Sequence, residues 1–92
     1  MILSFRHKGL ERLHRRGETR GLPAQFVAKL DRILDQLNAS ERPQDMDLPG
    51  YRLHPLKGSR RGQWSVWVSG NWRVVFAFAG KDVVEVDPVD YH

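Results

Sequence analysis

Cysteine is absent from these 92 residues, which excludes disulfide staples and thiolate metal sites and fits a reducing compartment. Long apolar runs are missing too. The opening MILSF has five mainly apolar residues before the charges begin. That is too short for a signal peptide, and nothing nears membrane-spanning length. A soluble, cytoplasmic protein is expected. No repeat, low-complexity tract or linker divides the chain, so residues 1–92 read as one domain with a single core. Paired ligand spacing is lacking as well: His7, His14, His54 and His92 are scattered, and neither a metal nor a cofactor is expected.

Acidic residues are missing from one stretch. Residues 51–80 hold Arg52, Lys57, Arg60, Arg61 and Arg73, three tryptophans, and no Asp or Glu, a net +5. Residues 1–20 carry +4, whereas 21–50 carry −2 and 81–92 carry −3. A cationic, tryptophan-rich stretch points to a polyanion partner, although charge alone fits a solvated arginine face equally well.

What is present reads as an α+β chain. ILSF suggests a short first strand. KGLERLHRRG places Leu10, Leu13 and His14 at helical spacing, with Gly17 as a C-terminal cap. GLPAQFVAKLDRILDQLNAS follows as a long helix with Pro23 at its first position, and Val27, Leu30, Ile33, Leu34 and Leu37 as one core stripe. SERPQDMDLPG is expected to be a connecting loop. YRLH, QWSVWV, WRVVFAF and DVVEVD then read as strands, separated by the basic loop PLKGSRRG and the turns SGN and AGK. Two helices on one face of a small, mainly antiparallel sheet are predicted.

Alternation sorts the side chains. Trp64, Val66 and Val68, with Trp72, Val74, Phe76 and Phe78, are assigned to the helix face. Gln63, Ser65, Trp67, Arg73, Val75, Ala77, Arg52 and His54 are assigned to the other. Pro88 is a candidate register break, so no face is assigned beyond it.

The sequence also carries side chains suited to cutting RNA without a metal. Such cleavage needs a base for the 2′-hydroxyl proton, an acid for the leaving 5′-oxygen, and cations for the phosphorus oxygens. His54 and His92 are imidazoles, a group suited to act as acid or base, Lys57 and Arg73 are cations, and Asp90 and Tyr91 offer an acceptor and a ring. Taken singly, each has an ordinary structural explanation: a strand end, a turn, a solvated arginine, a terminal tail. The residues alone reach a small basic α+β domain suited to binding RNA.

SFRHKGL, GLPAQ, RLHPLKG, GQWSV, NWRVVF and VDYH together resemble the HigB-type toxins of the RelE/ParE superfamily, from Ile2 to His92. The resemblance implies a RelE-like fold and a toxin of a type II toxin–antitoxin system. It further implies a ribosome-dependent, metal-independent endoribonuclease that cuts messenger RNA in the decoding site and inhibits translation. Carried over residue by residue, the site comprises His54, Lys57, Arg73, Asp90, Tyr91 and His92. His92 and His54 would transfer protons, Asp90 would orient or act as base, and Tyr91 would position a base. Lys57 and Arg73 would hold the phosphate, with Arg60, Arg61 and Trp67 as further RNA contacts. Which group takes the first proton stays open. Where many relatives have a basic residue before NWR, this chain has Ser69-Gly70. The resemblance also implies a HigA-type helix-turn-helix antitoxin, with the ribosome and messenger RNA as partners. Two alternatives remain at this level, a non-catalytic binder on the same scaffold and a nuclease that needs no ribosome.

Overall fold

The first helix is defined by its two caps. α1 spans Lys8–Arg16, and His7 Nδ1 accepts the Leu10 N–H at 3.2 Å, satisfying one of the free amides of the first turn. Gly17 ends α1 in the left-handed region at φ 70, its N–H donating to the Leu13 carbonyl while the Glu18 N–H reaches Arg12. Leu10 and Leu13 are buried beneath it. The computed structural model describes residues 1–90.

Helix α2 spans Val27–Ala39 and buries Leu30, Ile33, Leu34 and Leu37, with Val27 packed at the edge of the same core. Pro23 does not occupy its first position. It caps one 3-10 turn, Ala24–Phe26, with φ −60, and its carbonyl accepts the Phe26 N–H at 3.0 Å. That turn sets Phe26 against Trp72, ring centroids 6.3 Å apart.

The segment expected to be plain loop contributes to the core. A 3-10 turn at Pro43–Met46 delivers Met46, which is fully buried. Asp45 holds that turn, accepting from the Glu41 N–H at 3.0 Å and from Arg42 Nε at 3.3 Å. Sequence periodicity misses Met46 because a single turn has no repeat to detect.

Four strands form one antiparallel sheet in the order β1 (His54–Pro55), β2 (Gln63–Ser69), β3 (Trp72–Ala79) and β4 (Asp82–Asp90). β1 is shorter than the expected YRLH because Arg52 takes φ 50, a left-handed conformation that interrupts extended chain. ILSF is also reduced: it meets β4 only through parallel bridges at Ile2–Val83 and Phe5–Val86. The cause lies in β4. Between the pairs Val75–Asp87 and Ala77–Val84, β4 has one residue more than β3, and Glu85 adopts φ 56 there. The Glu85 N–H leaves the ladder and donates to Ser4 Oγ at 2.9 Å. The register break is therefore at Glu85. Pro88 pairs with Val74 within β4.

One face of the sheet, with Val66, Val68, Val74, Phe76, Val83 and Val86, packs under the two helices. Strand alternation generates this separation, with the extra residue at Glu85 bringing Val83 and Val86 to the same face, as expected for an α+β layer architecture. No helix of the described residues is long and apolar enough to cross a membrane.

Candidate active site

The other face is built by cross-strand register. His54 stands opposite Ser65, Ser65 opposite Val75, and Val75 opposite Asp87, forming one row across all four strands. The neighbouring row is Trp67, Arg73 and Val89. Because partners in register share a face, His54 and Arg73 are brought to the same side from strands far apart in sequence.

They meet at an open hollow of about 290 Å³ lined by His54, Leu56, Ser65 and Arg73. Arg73 Nη1 donates to Ser65 Oγ at 3.2 Å. Ser65 is completely buried, an unusual setting for a hydroxyl on the sheet face that carries no helices. One hydrogen bond fixes a guanidinium N–H, leaving the rest of the planar fork available for an anion. Among the described residues no carboxylate forms an ion pair with Arg73. His54, at the exposed start of β1, presents an imidazole to the same space. A group that can exchange a proton thus borders a group that can hold a phosphate.

The basic loop lies between β1 and β2. Lys57 caps the 3-10 turn Gly58–Arg60, and its carbonyl accepts the Arg60 N–H at 3.3 Å. The Leu56 N–H donates to the Gln63 carbonyl at 2.9 Å and closes the loop. Arg60 Nη1 reaches Gln63 Oε1 at 3.3 Å, while Arg61 is exposed. Lys57, Arg60 and Arg61 are therefore beside the hollow in sequence but are not part of its lining.

Trp67 is engaged within the protein. Its Nε1–H donates to the Gly70 carbonyl at 2.9 Å, and the Arg52 guanidinium lies 4.2 Å from the ring centroid. Lys29 of α2 approaches the same ring at 5.7 Å. Such cation–aromatic contact occupies a surface that a nucleobase would otherwise use. Asp90 closes β4 opposite Trp72, so its register matches the row next to Arg73 on the helix side rather than the row of His54. Tyr91 and His92 lie outside the described residues.

A smaller, more enclosed hollow of about 80 Å³ lies on the helix side, lined mainly by Leu22, Phe26, Leu30, Val68, Trp72 and Pro88, with Arg73 and His7 also in its lining. Its walls are mainly apolar, and it is the open hollow that brings Arg73 together with His54, so that hollow is the better candidate. Ser65 and Leu56 are the lining residues to which sequence reasoning gave no role. Alternation does put Ser65 on the correct face; only its bond to Arg73 reveals a use.

Comparison with known proteins agrees with this arrangement. Residues 3–92 match the family of RelE-like HigB toxins of type II toxin–antitoxin systems. The chain is also similar to a protein of Proteus vulgaris named "Endoribonuclease HigB", 41% identical over 92 residues that span the whole of both chains. A full-length match of this kind, on a sheet that gathers His54 and Arg73 at one hollow, shows that the chain belongs to the HigB-like family of RelE-like type II toxins.

Proposed function

We propose that this protein is an endoribonuclease toxin that cuts messenger RNA in the decoding site of the ribosome and so inhibits translation. The observation that carries the reading is the convergence of His54 and Arg73 on one polar hollow, in a chain of this family. The relative's name supports the nuclease activity.

In the proposed reaction the 2′-oxygen attacks the adjacent phosphorus, and its proton passes to a base. The bond from phosphorus to the 5′-oxygen breaks, and an acid protonates that oxygen. The products are a 2′,3′-cyclic phosphate and a 5′-hydroxyl, and no metal takes part. Arg73 grips the phosphate through two N–H groups and stabilises its developing charge. Lys57 supplies a second cation from the loop. His54 and His92 exchange the protons, Asp90 orients or acts as base, and Tyr91 positions a nucleobase. The roles of Asp90, Tyr91 and His92 rest on the resemblance of the VDYH motif alone. The antitoxin partner is a HigA-type helix-turn-helix protein, and the site of action is the cytoplasm.

The test is cleavage of messenger RNA on programmed ribosomes by the wild type and by Arg73→Ala, with naked RNA and excess chelator as controls. Cuts in the decoding site that resist chelator and vanish in the variant are expected. Equal cutting of naked RNA would replace the ribosome-dependent reading with a free nuclease. Ribosome binding without any cutting would point to a non-catalytic binder.

A further inference from the structure

Helix α1 carries a row of cations whose spacing exceeds what helix capping and ion pairing account for. Lys8, Arg12 and Arg16 are spaced four residues apart and stand in one row along the helix, about 12 Å long at the usual rise per residue. Arg20 returns to the same place after the Gly17 cap. With Glu11 and Arg15, these residues line an open polar hollow of about 400 Å³. It is lined by α1 and the segment that follows, and it shares no lining residue with the hollow of His54 and Arg73.

A solvated helix face explains only part of this. Arg15 and Arg16 sit in the last turn, where they complement the helix dipole, and they pair with Glu11 at 3.1 Å and Glu18 at 3.9 Å. Lys8 sits in the first turn, where the dipole opposes it. Like charges four apart also repel along the row. Among the described residues neither Lys8, Arg12 nor Arg20 forms an ion pair. Arg12 Nε is buried without a hydrogen-bond partner, an expensive state for a guanidinium N–H. Arg15 is held in place, 5.8 Å over the Phe5 ring. Arg15 and Arg16 are paired, while Lys8, Arg12 and Arg20 leave the hollow with positive charge that no carboxylate among the described residues pairs, on a partly preorganised surface.

We propose that this hollow binds the phosphate backbone of RNA, as a second contact distinct from the site that holds the scissile phosphate. A row of arginines suits phosphates, because each fork takes two oxygens and the pattern needs no sequence. A protein partner would be expected to find a buried aromatic or apolar anchor, and none lines the hollow. The exposed large hydrophobic residues, Met1 and Leu3, are outside its lining. With cations at two separate hollows, the toxin can be held by structured RNA at one while a single strand enters the other.

The test needs neither ribosomes nor cleavage, so it stands apart from the proposed reaction. Binding of an RNA duplex of about 16 base pairs is measured by fluorescence anisotropy at several salt concentrations. The variant is Lys8→Gln/Arg16→Gln/Arg20→Gln, which spares the partly buried Arg12. The control is Arg32→Gln/Arg42→Gln/Lys81→Gln, three exposed cations elsewhere with the same loss of charge. Circular dichroism verifies that both variants are folded. The α1 variant should bind about tenfold or more weakly, with the log–log salt slope reduced by roughly two. The control should change affinity less than about twofold. Equal weakening by both would make the attraction diffuse and remove the site. Unchanged affinity in the α1 variant would overturn the proposal and leave the row to an acidic protein partner.

Discussion

The two faces of the sheet are made from the same strands and solve different problems. Under the helices, Val66, Val74, Phe76, Val83 and Val86 are sealed into a continuous apolar layer with Leu10, Ile33, Leu34, Leu37 and Met46. On the other face, Ser65 and Val75 are equally buried, yet Ser65 accepts a hydrogen bond from an arginine and borders an open hollow. One layer gains from excluding water at every position, and its contribution grows with the area removed from solvent. The other keeps ionisable groups in reach of water and of a substrate. Separating the two by strand alternation lets the site side be polar without opening the core. Changes on the helix face should therefore act on stability first, and changes on the open face on activity.

The largest expected effect breaks the helix face. Phe76→Ala removes a fully buried ring from the centre of the layer and should cost about 3–5 kcal/mol, measured by urea unfolding. RNA cleavage by the fraction still folded should stay close to wild type. A folded variant with no activity would show that the faces are coupled through β3.

Arg73→Ala tests the other side. Arg73 donates one hydrogen bond and forms no ion pair among the described residues, so stability should change little. Cleavage should fall by about 10²–10³, the usual loss when one donor to developing charge is removed. Arg73→Lys restores charge without the planar fork and should recover only part of the rate.

Ser65→Ala sharpens this further. The residue is buried and its observed bond is to Arg73, so its expected role is to position that guanidinium. The expected result is a loss in kcat of about tenfold with KM nearly unchanged, because a wandering guanidinium weakens the transition state most. Unfolding free energy should drop by no more than about 1–3 kcal/mol. Ser65→Thr keeps the hydroxyl and should restore most of kcat. A KM effect without a kcat effect would place Ser65 in substrate binding instead.

Legibility in the sequence follows the same division. The helix face was readable because apolar spacing at 3.6 and 2 residues is a repeated signal: the stripe from Leu30 to Leu37 and the alternation in β2 and β3 appear as expected. Features set by one residue's backbone were not readable. Neither Arg52 nor Glu85 is a residue type that announces a positive φ, yet the first shortens β1 and the second reduces the N-terminal strand to two bridges. The open face was half legible. Alternation put His54, Ser65 and Arg73 on one side, and the resemblance of RLHPLKG and NWR to a toxin family supplied the chemistry. What no sequence pattern contains is that His54 and Arg73 reach one hollow through Ser65, because that depends on register between three strands. Trp67 shows the converse. Its face was assigned, but its capture by Arg52 and Gly70 depends on a turn and a left-handed residue.

The smallest effect concerns one carboxylate, Asp45, whose charge should act on structure only. Hydrogen bonds from the Glu41 N–H, foremost, and from Arg42 hold the Asp45 carboxyl below its ordinary pKa, although burial pulls the other way. Between the native and unfolded values the unfolded chain binds more protons, so stability rises with pH across that window. The contribution is complete above the ordinary carboxylate value of about 3.9 and disappears as pH falls through the lower native one. Asp45→Asn should therefore destabilise the protein slightly at neutral pH, through the turn that seats Met46. The difference from wild type should vanish in strong acid, as followed by urea unfolding across a pH series. Cleavage at neutral pH should not change, because Asp45 is not part of the lining of the hollow. A difference that persists unchanged into acid would mean that Asp45 acts through its shape rather than its charge, and a loss of cleavage would end the separation of the two faces.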